Sequence, residues 1–127
     1  MNIKRRSVMV AGVPYSIQLV PHGTYDTIAD DTNEGMCDYT VKEIVAHDPT
    51  MEAREGDDMK NLEFITNNTV KHELVHAFLF ETGNSEYAED EKLVELIALS
   101  IEKLHKLCAD ANVINSIYEL PDQPMAA

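Results

Sequence analysis

The chain predicts an α+β fold, on three observations. Short β-branched runs with period-two alternation occupy the first third, and apolar residues at helical spacing occupy two long segments in the second half. Turn-forming residues separate the segments. The expected order is a small N-terminal antiparallel sheet of about three strands, then two helices, the second returning antiparallel to the first. At 127 residues one domain over residues 1–120 is expected. Residues 121–127 (PDQPMAA) have the composition of a frayed end.

Residues 6–20 predict a hairpin. SVMV and YSIQLV are the strands, and Ala11-Gly12-Val13-Pro14 supplies the turn. Pro21-His22-Gly23 ends the second strand, and the polar, acidic residues 24–35 predict a loop. Residues 36–46 (MCDYTVKEIVA) put Cys37, Tyr39 and Val41 on one side before the alternation slips near Lys42-Glu43, which predicts a third, bulged strand. Asp48-Pro49 closes it, and residues 52–58 predict an acidic loop or a helical turn. From Thr66 the period changes. Thr66, Asn67 and Asn68 are N-cap candidates, Val70, Leu74, Ala77, Phe78 and Leu79 recur at helical spacing, and Gly83 stops the helix. A second helix is expected over residues 89–107, with Leu93, Ile97, Ile101, Leu104 and Cys108 as its core stripe.

Composition narrows the function classes. The chain is 44% hydrophobic and 26% charged, as globular domains are. Its net charge is −13, with acids concentrated between Asp26 and Asp58. A field of that sign repels phosphates, so neither nucleic acid nor an anionic membrane is expected as a partner. Two distant cysteines, Cys37 and Cys108, fit no disulfide scaffold and no CxxC pattern, which suits reduced thiols in the cytoplasm. The basic start MNIKRRSVMVAGVPY has an apolar run that stops at Pro14, too short for a signal-peptide core. A soluble, cytoplasmic protein is the expectation.

The chemistry concentrates in TVKHELVHAFLFETG, residues 69–83. Residues four apart on a helix stand roughly 40° apart around the axis and about 6 Å along it. Two imidazoles so placed can converge on one ion at about 2.1 Å, which is zinc-ligand geometry. His72 and His76 have this spacing. Glu73, about 100° round from His72, is poorly aimed at the same ion but can reach a water on it. Its carboxylate can take that water's proton as it attacks a carbonyl. This is the physical content of HExxH. Three fixed positions also occur by chance, and here the apolar neighbours Leu74, Val75, Ala77 and Phe78 favour the metal.

A catalytic zinc takes three protein ligands and keeps one position open. The third is expected from the returning helix. Its level opposite His76 falls near Glu95, with Glu91 one turn earlier as the competitor. Ala98 and Leu99, apolar on an otherwise polar side, point to a small buried face near Glu95, with Ala98 letting the helices approach. Glu95 is therefore favoured over Glu91.

HELVHAFLFETG followed by DEKLVELIA resembles the small phage-associated zinc metallopeptidases related to the ImmA/IrrE type, a minigluzincin-like group. The likeness covers residues 69–104 strongly, and the N-terminal hairpin with GMCDY loosely. By motif it implies His72 and His76 as ligands, Glu73 as general base and residues 95–98 as the third-ligand segment. Where that family often has Asn after the Ala, this chain has Leu99, which removes a hydrogen bond near the metal. The resemblance further implies a zincin-like fold with the sheet packed on the motif helix, its edge strand holding an extended peptide.

Tyr87, between the helices, is a candidate oxyanion stabiliser, with a surface or staple tyrosine as the plainer reading. His22, His47 and His105 lack partner spacing and are expected at the surface. No phosphate-binding glycine loop or nucleophile elbow is present. The leading expectation is a zinc-dependent metalloendopeptidase of gluzincin type acting on a protein or peptide. A non-catalytic, metal-binding, phage-type accessory protein on the same fold is the alternative, and a metal-free structural module the third.

Overall fold

The computed structural model describes residues 3–24 and 34–118. Residues 25–33, which hold most of the expected acidic loop, and the expected tail 121–127 lie outside the described residues. The hairpin forms as β1 (Lys4–Val10) and β2 (Val13–Val20). Its turn contracts to Ala11 and Gly12, at φ 48° and 86°. Two successive positive φ values give the hairpin turn whose twist matches its strands. Val13 and Pro14 thus belong to β2.

The expected bulged strand is two strands, β3 (Gly35–Asp38) and β4 (Glu43–His47). Asp38 Oδ1 accepts from Thr40 N at 2.9 Å and Thr40 Oγ1 at 2.6 Å, and Lys42 adopts φ 56°. That local carboxylate turn reverses the chain where the alternation slipped. The sheet is also mixed rather than antiparallel. Its order is β1-β2-β4-β3, and β4 runs parallel to β2 with Ile17 beside Ile44 and Val20 beside His47. Ile44, Val45 and Ala46 are all buried. A central strand covered on both faces has no reason to alternate.

Asp48 then caps a 3-10 turn (Pro49–Glu52), accepting from Thr50 N. Helix α1 (Met59–Glu81) begins seven residues before the expected Thr66, because the Asp58 side chain accepts from Lys60 N and Asn61 N and caps it there. Thr66 sits inside the helix and bonds back to Leu62 O at 3.1 Å, the mid-helix alternative to capping. Gly83, at φ 81°, ends the helix as expected. A short α2 (Ser85–Ala88) precedes α3 (Glu91–Asp110), capped by Asp90.

One side of α1 (Val70, Leu74, Ala77) packs on the sheet face of Tyr15, Ile17, Leu19, Ile44 and Ala46. Another (Val75, Leu79) packs on Ala88, Val94 and Ala98. Tyr15 Oη donates to Glu81 Oε2 at 2.6 Å, and Lys42 Nζ reaches the same oxygen at 2.7 Å, which ties the end of α1 to the sheet. The expected core stripe of α3 holds in part: Ile97 is half-buried against the cluster of Val75 and Val94, and Leu93 and Cys108 are half-buried. Val94 and Ala98 are its buried residues, while Ile101 is 48% exposed and Leu104 and Leu99 are exposed too. Ala98 does admit the close helix approach; Leu99 faces solvent. No helix among the described residues is long and apolar enough to cross a membrane.

Candidate metal centre

α1 carries the motif between its two packed sides, so His72 and His76 turn toward α3 while Glu73 turns toward β3. The partners of each ring decide which nitrogen is free. His76 Nδ1 lies 2.6 Å from Ala88 O, and His72 Nδ1 lies 2.6 Å from Glu95 Oε2. Ala88 O and the Glu95 carboxylate can only accept, so in the neutral tautomer with a proton on each Nδ1 the lone pair of each ring would lie on Nε2. The two Nε2 atoms stand 3.2 Å apart. Glu91 spans them, with Oε2 2.9 Å from His72 Nε2 and Oε1 3.0 Å from His76 Nε2.

In that tautomer two lone pairs and a carboxylate would face one point, an arrangement that a cation, or protons on the Nε2 atoms, would relieve. Nitrogens about 2.05 Å from a tetrahedral zinc stand roughly 3.3 Å apart, so the observed 3.2 Å fits that ion. The donors are two imidazoles and a carboxylate, the set of a catalytic zinc site. Carboxylate and carbonyl partners on the opposite ring nitrogens are the arrangement that orients metal-binding histidines.

Glu73 is 7% exposed. Burial pushes its carboxyl above the ordinary range, the His76 and His72 rings pull it down, and Glu91 pushes it up further; the net direction is upward. Its close fit depends on Gly35. A Cβ there would meet Thr69 Cγ2 at 2.9 Å, Glu73 Cγ at 3.2 Å and Val45 O at 3.3 Å. Only glycine lets β3 pass so close to α1.

Two clefts open on this group. One, of about 470 Å³, is lined by Glu34, Gly35, Asn68, His72, Glu73 and Glu95 among others. The other, of about 220 Å³, is lined by Met36, Cys37, Tyr39, Glu73, His76 and Glu89 among others. They share Gly35, Glu73 and Glu91, so together they run beside β3, an edge strand among the described residues.

His72, Glu73, His76, Glu91 and Glu95 are therefore brought together. Glu91 meets both Nε2 atoms, whereas Glu95 meets the opposite nitrogen of His72. α2 and the Asp90 cap start α3 at Glu91, which puts both expected carboxylates within reach of the histidines. Tyr87 is 56% exposed and lines neither cleft. Tyr39 lines one instead, stacked on Phe80 at 4.1 Å, and burial pushes its phenol up to about 12. The sequence signal for it was its place beside Cys37 in GMCDY. His105 is exposed as expected, but His47 is buried and His22 half-buried. No protein-family model, curated protein or solved structure matches the chain.

Proposed function

We propose that the protein is a zincin-like, zinc-dependent metallopeptidase of gluzincin type, with His72, His76 and Glu91 as zinc ligands and Glu73 as general base. One observation carries the reading: both Nε2 atoms converge at 3.2 Å under a single carboxylate, beside the buried carboxyl of Glu73. The phage-type metallopeptidase resemblance of HELVHAFLFETG supports it.

A zinc ion held there would acidify a water molecule and polarise a peptide carbonyl. Glu73 takes a proton from the attacking water and passes it to the leaving amine. Its buried position keeps the carboxylate beside that water and away from bulk solvent. Glu95 and the Ala88 carbonyl hold the imidazoles in the required tautomer. Tyr39, whose phenol stays protonated at neutral pH, is the donor beside the site for a developing oxyanion. The substrate is an extended peptide lying along β3, whose backbone offers strand-type pairing.

Glu73→Gln tests the assignment, because the amide keeps the shape and removes the base. Turnover of a broad peptide library should fall by about 100- to 10,000-fold, with zinc content unchanged. Equal turnover by both proteins would remove Glu73 from the role. No turnover by zinc-loaded wild type would favour the non-catalytic binding protein.

A further inference from the structure

A second pair of histidines lies apart from the α1 group. His22 follows β2, His47 ends β4, Glu34 immediately precedes β3, and Glu52 ends the 3-10 turn. His47 is 8% exposed, and both its ring nitrogens face carboxylates: Nδ1 lies 2.8 Å from Glu34 Oε2 and Nε2 lies 2.9 Å from Glu52 Oε1. A neutral imidazole donates from one nitrogen only, so an uncharged ring would set a lone pair against an anion. His22 stacks on this ring at 3.9 Å. Its Nε2 is buried, has no hydrogen-bond partner among the described residues, and stands 3.8 Å from Glu34 Oε1. His22 Nε2, His47 and Glu34 offer ligand atoms that all fall within 4.8 Å of one another.

We propose that His22, His47 and Glu34 form a second divalent-cation site, positioned by Glu52, which fastens the start of β3 to the ends of β2 and β4. One feature is shared with the α1 pair: a carboxylate on the ring nitrogen opposite the proposed ligand atom, Glu52 on His47 here and Glu95 on His72 there. Glu52 accepts the Nε2–H of His47, as carboxylates that orient metal-bound imidazoles do, and leaves Nδ1 free toward Glu34. The same Glu52 oxygen accepts from His22 N at 2.7 Å. His47 N donates to Glu34 O at 2.8 Å, so backbone bonds already hold the ligands' positions. Two imidazoles and a carboxylate select a zinc-type ion over calcium or magnesium, which take oxygen ligands.

The rings lie within 20° of parallel, and lone pairs in parallel planes do not meet at one ion. His22 must therefore turn out of the stack to bind; its side chain is 31% exposed. Glu34 also lines the larger cleft, next to Gly35. Filling this site would fix one wall of the groove that Glu73 faces.

The test is zinc stoichiometry of the full chain, stripped with chelator and then titrated with Zn2+ alone. Two equivalents are expected for wild type and one for His22→Ala, a half-exposed position that leaves the fold intact. A His72→Ala/His76→Ala variant should keep one equivalent and melt higher with zinc than without. Wild type and His22→Ala binding equal amounts would overturn the proposal, whatever becomes of the α1 site. One equivalent in wild type and none in His22→Ala would support it and remove the α1 pair instead. Ring 15N shifts showing His47 protonated on both nitrogens in the presence of saturating zinc would mean that protons fill the site, and would also overturn it.

Discussion

The α1 histidines and the His22/His47 pair solve the same electrostatic problem from different starting points. In each, an acceptor holds one nitrogen of a histidine and a carboxylate faces another. His72 and His76 are brought together by a single helix, so spacing alone discloses them. His22 and His47 are 25 residues apart and meet only because β2 and β4 run parallel with Val20 beside His47. A helical pair is written in local sequence, whereas a pair across strands is written in sheet register.

The sharpest way to break this comparison is to remove a ligand of the first pair. His76→Ala should weaken zinc binding at α1 by more than the about 100-fold that loss of an outer partner can cause, and leave the second cluster's zinc unaffected. Competitive chelator titration reads both sites. The next effect separates ligand from outer partner. Glu91→Ala should weaken the α1 site more than Glu95→Ala, for which a loss of about 10- to 100-fold is expected. The reverse ranking in the same titration would make Glu95 the ligand.

Gly35 lies between the two clusters, after Glu34 and against Glu73, and tests whether they are linked. Gly35→Ala puts a methyl 2.9 Å from Thr69 Cγ2 and 3.3 Å from the Val45 carbonyl. Overpacking of that kind costs about 1–3 kcal/mol, measurable by denaturant titration, and should impair peptide turnover as β3 moves off Glu73. A smaller effect is expected at Asp48, beside His47. Burial pushes its carboxyl up, but hydrogen bonds from Thr50 and Thr66 and the charge of Lys4 hold it below the ordinary value. Its contribution is thus present above the unfolded value of about 3.9 and is lost as pH falls through the lowered folded one. Asp48→Ala should cost about 1–2 kcal/mol at neutral pH and flatten the acid limb of the stability curve.

What could be read in advance follows from how local each cause is. Ala11-Gly12 announced its hairpin because turn chemistry is local, and HExxH announced the meeting of His72 and His76 because the helix repeat is. The β3–β4 hairpin was hidden because β4, buried on both faces, does not alternate, and because Asp38 and Thr40 turn the chain without glycine or proline between the strands. Without β4 as a separate strand, no reading could bring His47 to His22. The contact of Glu91 with both Nε2 atoms was hidden for a similar reason. Asp90 caps α3 just before Glu91, and α2 occupies residues that a simple turn would have left free. Ile101 and Leu104 had the right period for a core, but periodicity defines a face and not what covers it.

The proposed metal centre of the helical pair is built on imidazole nitrogens and a carboxylate. X-ray absorption at the zinc edge, on zinc-loaded His22→Ala so that only the α1 site is filled, reads that shell. One zinc per chain is expected, with two histidine nitrogens at about 2.0–2.1 Å, light oxygen ligands completing the shell and no sulfur. A shell containing sulfur, fewer than two imidazoles, or no bound zinc at all would contradict it.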